Sequence, residues 1–205
     1  MEGYQHWLEI VMHDVDSNIA FQPLDHARHF TRFNREIGSI AAGARDTKMA
    51  KAISSLYGSE CGYLCDVSKL PPCEEIDDFF DSVLILYSDL FESKCTQFYS
   101  HLDRGPERPN PLNAPCYMLW DMDNGIDSFR FSGIPSHIGR SIQLLSQLIQ
   151  SRHPATIESA IHGLGHMIDE FRERCLPPLE SVLLRSDIPE ELKDYASQAI
   201  HYYIQ

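Results

Sequence analysis

Two histidines four residues apart, His162 and His166, stand in the stretch AIHGLGHMIDE at 160–170. On a helix this spacing puts both imidazoles on one face, and Glu158, Asp169 and Glu170 fall on or beside the same line. Two imidazole nitrogens with a carboxylate make a ligand set that zinc accepts, so His162, His166 and Glu158 are the candidate metal ligands. Gly163 follows the first histidine where an HExxH protease needs glutamate, so that reaction class is not supported.

A second acidic stretch, WDMDNGID at 120–127, offers Asp121, Asp123 and Asp127 around Asn124-Gly125. These are oxygen ligands of the kind calcium takes, but the glycine stands one place too early for an EF-hand loop and no closing glutamate follows. The stretch reads better as an Asn-Gly turn. Trp120 beside it is either core or an exposed anchor. Cys61, Cys65 and Cys73 lack the paired CxxC spacing of a zinc site. Neither a glycine-rich phosphate loop nor a nucleophile elbow is present in the sequence. No residue is therefore assigned a catalytic role, and no cofactor is expected.

The histidines need a helix to hold them. From Pro154 onward, Ile157, Ala160, Ile161, Leu164 and Ile168 recur at three- and four-residue intervals, the stripe of a buried face. His162 and His166 lie off that stripe. The pattern predicts that Glu158, His162, His166 and Asp169 form an exposed face, with Trp120, Asp121 and Asp123 as further partner-binding candidates. A metal at His162, His166 and Glu158 is the alternative. Gly163 and Gly165 each cost the helix about 1 kcal/mol relative to alanine, which close approach of a neighbouring helix would offset.

The remaining periodic stretches are helical as well. Asp25 opens a helix over 25–42, and Asp46 opens a second one that Gly58 ends. The acidic run EEIDDFFD starts a third helix, which the apolar spacing carries towards Leu102. The proline-rich segment 103–115 breaks the chain and is either a long loop or a boundary between parts 1–102 and 116–205. Helices are expected again over 136–151 and roughly 176–185. The fold class is all-α, a stack of helical hairpins without substantial β-sheet.

HPATIESAIHGLGHMI from His153 and IPEELKDYASQAIHYYI from Ile188 share a proline, then an aliphatic, a charge and small residues at matched offsets, with a period of 35 residues. Each proline suits the first turn of a helix. This pattern resembles HEAT and related alpha-solenoid repeats, with Leu164-Gly165 in the place of their leucine-glycine pair; Ala199 and Ile200 stand there in the second copy. The resemblance covers about the last seventy residues and implies an irregular solenoid. CYMLWDM and AIHGLGHM also look like segments of bacterial hypothetical proteins of unassigned activity.

Thirty acidic against seventeen basic residues give a net charge of −13. Such a balance repels phosphate backbones and favours cationic partners, which argues against nucleic acid as a ligand. No stretch is apolar enough for a membrane span, and Met1-Glu2-Gly3-Tyr4 has no signal-peptide character, so a cytoplasmic protein with reduced cysteines is expected. The functional expectation is a non-catalytic acidic interaction module, for instance an immunity or inhibitor-type protein binding a basic partner. A metal-dependent enzyme or sensor using His162 and His166 is the alternative.

Overall fold

The structure, a computed structural model, describes residues 2–13, 21–58, 61–122 and 125–201. Its elements are α1 (Glu2–His13), α2 (Pro23–Ala42), α3 (Asp46–Tyr57), α4 (Tyr63–Val67), α5 (Glu74–Leu86), a π-helical turn (Tyr87–Phe91), α6 (Glu92–Lys94), α7 (Asn113–Met118), α8 (Ser128–Phe131), α9 (Pro135–Leu148), α10 (Pro154–Leu183) and α11 (Glu190–Ile200), with a 3-10 turn at Ser100–Leu102. The chain is all-α: among the described residues the only extended pairing is one isolated antiparallel bridge between Tyr99 and Arg104. Among the described residues, no helix is long and apolar enough to cross a membrane.

Helix starts follow the expected chemistry. Prolines occupy the first turns of α2, α9 and α10, where a missing N–H costs nothing. Three acids, Glu74, Glu75 and Asp77, sit in the first turn of α5, at the positive end of its dipole. The helix begun there does not reach Leu102. It widens into the π turn at Tyr87–Phe91 and ends at Cys95, whose extended backbone (φ −63°, ψ 140°) stops it. Apolar periodicity ran on because Phe98 and Leu102 fall at helical offsets while the backbone has already turned.

α2 packs along α5, α5 meets α9, and α10 is surrounded by α7, α9 and α11. One hydrophobic core joins residues on both sides of the proline-rich segment, from Trp7 and Phe33 through Phe79 and Leu86 to Leu164 and Leu192. The segment itself is tied down: Asn110 Nδ2 donates to Asp46 Oδ2 at 2.8 Å, and Thr96 Oγ1 donates to the Arg108 carbonyl at 2.8 Å.

α10 departs from expectation in two respects. It runs past Ile168 into the segment read as a separate helix, with a kink at Phe171 (φ −125°, ψ 40°) where two helices would have been separated. Near the kink Arg130 Nη1 donates to the His166 carbonyl at 2.7 Å. Its first part is also buried on all sides. Every residue from Ala155 to Gly165 is buried, including Glu158 (1% exposed) and His162 (0%). The exposed face predicted for Glu158 and His162 is thus corrected: α7 and α11 cover the side opposite the apolar stripe, and polar residues there find partners inside the protein.

Gly163 explains one of the helix's glycines. A Cβ at this position would lie 2.7 Å from Leu145 Cδ2 and 2.8 Å from Trp120 Cγ, so the absence of a side chain admits both neighbours. Gly125 is similar, since a Cβ there would sit 1.8 Å from the Tyr57 carbonyl oxygen. That close approach requires the glycine, while Asn124 of the expected Asn-Gly turn lies outside the described residues.

Candidate metal centre

α10 carries His162 and His166 one turn apart, and their Nε2 atoms are 3.2 Å from each other. Asp121, in the turn that follows α7, brings Oδ2 to 3.8 Å from His162 Nε2 and 3.6 Å from His166 Nε2. All three ligand atoms lie within 4.8 Å of one another. At zinc–ligand distances near 2.1 Å, tetrahedral neighbours are about 3.4 Å apart, so this triangle is close to the spacing a metal would impose. His162 is enclosed, whereas the side chains of His166 and Asp121 are 26% and 40% exposed. The open side of the triangle therefore faces solvent.

His162 is held from behind. Its Nδ1 is 2.7 Å from Tyr195 Oη, contributed by α11, and Tyr195 Oη is 2.9 Å from Tyr117 Oη of α7. Burial, then the neighbouring imidazoles of His166 and His101, push the His162 pKa down to about 3, so the ring is neutral at physiological pH. Burial likewise raises the pKa of Tyr195, and its hydrogen bond to Tyr117 adds to the effect. A neutral imidazole with one nitrogen hydrogen-bonded in this way has the character of a metal ligand with an outer partner.

Glu158 does not join the triangle. It turns to the 3-10 segment, accepting from the His101 backbone N–H at 3.0 Å and lying 2.5 Å from His101 Nδ1. Its other oxygen, Oε2, is buried without a hydrogen-bond partner. The grouping of Glu158 with His162 and His166 read from helical spacing is thus corrected: the carboxylate beside the two imidazoles is that of Asp121. Spacing alone places Glu158 on the face of His162, but its partner comes from a segment distant in sequence. Asp169 is exposed and Trp120 is buried, its Nε1 donating to Tyr87 Oη at 2.8 Å in the π turn. Trp120 is a core residue and not an exposed anchor. Asp123 lies outside the described residues. Asp127 pairs with Arg130 at 3.7 Å, and burial raises its pKa.

His101, Tyr117 and Tyr195 were not singled out from the sequence. His101 follows Tyr99-Ser100 in an aperiodic stretch, and the ring of Tyr195 stacks on it at 3.9 Å between centroids. A tyrosine on a helix stripe reads as core, and both tyrosines are buried; only the tertiary arrangement shows that their hydroxyls face a histidine. No family model, curated protein or solved structure matches this chain.

Proposed function

We propose that the protein binds one divalent first-row metal ion, zinc in the simplest case, through Asp121 Oδ2, His162 Nε2 and His166 Nε2, and that this centre is its functional site. The observation that carries the reading is the convergence of three ligand atoms within 4.8 Å from two segments of the chain. His162 fits a ligand's role because it is neutral and because Tyr195 Oη engages its Nδ1 while Nε2 faces His166 and Asp121. Three protein donors on a tetrahedral metal leave one position for water or another ligand, on the side of His166 and Asp121. A centre of that kind serves as a metal-dependent enzyme or sensor, where the ion polarises a bound group or lowers the pKa of bound water. Calorimetric titration of metal-stripped protein with zinc tests this: one ion per chain is expected, and Asp121→Ala should weaken binding at least tenfold. Equal heats for the two proteins would remove the site.

The charge favours a second reading, an acidic module of the immunity or inhibitor type that docks onto a basic protein in the cytoplasm. Arg28, Arg35, Arg140 and Arg185 are engaged by Glu75, Asp78, Asp77 and Asp187, while the net charge of the chain remains −13. Such a surface would use Asp169 and the outer edge of Asp121, since Glu158 and His162 are buried. Association with the basic partner should weaken steeply with salt. In the same reading the proline-opened pair α9 and α10, followed by the end of α10 and α11, makes up the HEAT-like part.

A further inference from the structure

Behind the metal triangle runs a line of buried groups whose protons have a direction. His162 Nδ1 is 2.7 Å from Tyr195 Oη, and Tyr195 Oη is 2.9 Å from Tyr117 Oη. On the other side of the imidazole, Nε2 is 3.2 Å from His166 Nε2. His162 and Tyr195 are 0% and 2% exposed, so bulk water supplies no substitute partner to either. Tyr195 has little freedom to turn away. Its ring stacks on that of His101, with 3.9 Å between centroids and 12° between planes. His101 is pinned in turn by Glu158, whose Oε1 accepts from the His101 backbone N–H at 3.0 Å and lies 2.5 Å from its Nδ1. Tyr117 closes the arrangement by packing its own ring against His162, 4.3 Å between centroids.

We infer that Tyr195 is a positioning residue of the metal centre, the acceptor that holds the proton of His162 on Nδ1, and that occupancy of the triangle sets the order of donation from His162 to Tyr195 to Tyr117. The inference rests on the metal reading above. A neutral imidazole carries one N–H, and each tyrosine hydroxyl donates once. In the metal-free protein the His162 proton has two places, Nε2 facing His166 and Nδ1 facing Tyr195. Coordination through Nε2 leaves only Nδ1. Tyr195 then accepts from His162 and gives its own proton to Tyr117. No charge moves in this exchange; only the direction of the hydrogen bonds is fixed. The buried His101–Glu158 pair, which stays outside the triangle, acquires a role here by fixing the angle from which Tyr195 meets Nδ1. Because Tyr195 belongs to α11 and Tyr117 to α7, the state of the triangle is carried to two of the helices packed around α10.

The test is a competition titration of the full chain with zinc, paired with histidine nitrogen NMR. Tyr195→Phe keeps the stack on His101 and removes only the hydroxyl, so zinc affinity should fall roughly 10–100-fold, the usual effect of losing a ligand's outer partner. Tyr117→Phe, one hydrogen bond further from the ion, should lose less than Tyr195→Phe. Tyr57→Phe alters a buried tyrosine bonded to Asn34 and should bind zinc as the parent does. In the zinc-loaded parent, Nδ1 of His162 should be the protonated nitrogen, which a role in packing alone would not require. Equal affinity in Tyr195→Phe, or an equal loss in Tyr57→Phe, overturns the inference while leaving the metal centre in place. So does a zinc-loaded parent whose His162 proton is on Nε2, a result read on the unsubstituted protein even if Tyr195→Phe does not fold. No zinc uptake by the parent removes the centre and the inference together, which separates the two failures.

Discussion

Two buried polar groupings, one in the N-terminal helices and one around α10, use the same materials to opposite ends. In the first, Tyr57 Oη donates to Asn34 Oδ1 at 2.6 Å, Asn34 Nδ2 donates to Ser82 Oγ at 3.0 Å, and Ser82 Oγ donates to the Phe79 carbonyl at 2.7 Å. All three side chains have no exposure, and donors and acceptors are matched in series. Nearby, Trp7 Nε1 donates to His26 Nδ1 at 3.2 Å, again a donor meeting an acceptor. In the second grouping, two imidazole nitrogens and a carboxylate oxygen point at one another with solvent on one side. The first arrangement is closed and fixes how α2, α3 and α5 pack. The second joins His162 Nε2 and His166 Nε2 in one hydrogen bond at 3.2 Å, with the Asp121 carboxylate beside both and one side open to solvent. Burial of polar groups is thus not itself a mark of function; the two sets differ in that only the second is reached by solvent.

The comparison can be tested by perturbation. Leu164→Ala, in the core layer of α10 beneath the open cluster, should destabilise the protein by about 2–5 kcal/mol, the usual range for deleting a large buried aliphatic. A denaturant midpoint unchanged from the parent would contradict the packing of α10. Asn34→Ala strands the Tyr57 hydroxyl, while Ser82 keeps its bond to the Phe79 carbonyl, and since an unsatisfied buried group costs about 1–3 kcal/mol, a loss on the order of 2 kcal/mol is expected. Metal addition should leave that loss unchanged. A metal-dependent loss at Asn34 would erase the distinction between the two groupings. Gly163→Ala forces a methyl against Leu145 and Trp120 and should cost about 1–3 kcal/mol through overpacking, together with a change in tryptophan emission.

The smallest effect at neutral pH concerns His26. Burial, opposed only in part by Asp66 and Asp25, lowers its pKa from 6.5 to about 4. The unfolded chain therefore binds a proton before the folded one does. The stability associated with neutral His26 is fully present above pH 6.5 and is lost as pH falls from about 6.5 towards 4, with a limiting slope of about 1.4 kcal/mol per pH unit. Metal-free protein should lose stability across this window, and His26→Gln, whose amide oxygen can still accept from Trp7, should flatten the curve. An unaltered slope in His26→Gln would place the titration elsewhere.

The helices were legible in sequence because their apolar residues repeat at the helical period and their starts carry acids or proline; α2, α3, α9 and α11 appear within a few residues of where the pattern puts them. α1 was not read, although Tyr4, Trp7, Leu8 and Val11 hold the required spacing. His162 and His166 were legible as a pair because four-residue spacing is a local property. The burial of His162 was not, since α7 and α11 cover it from distant parts of the chain, while His166 stays partly exposed. Asp121 was visible as an acid in a turn, yet nothing local relates it to a histidine 41 positions later. Glu158 shows the converse: it shares the histidines' helix face but spends its charge on His101.

The most direct test of the metal centre is a cobalt(II) titration of metal-free protein followed by visible absorption, because the d–d bands report coordination by donor type and geometry. The proposed centre predicts saturation at one cobalt per chain with a spectrum characteristic of nitrogen and oxygen donors. That spectrum should be abolished in Asp121→Asn and in His166→Ala, while Asn34→Ala retains it. A spectrum identical to cobalt in buffer, or one that persists without both Asp121 and His166, would contradict the assignment and leave the triangle as a hydrogen-bonded cluster.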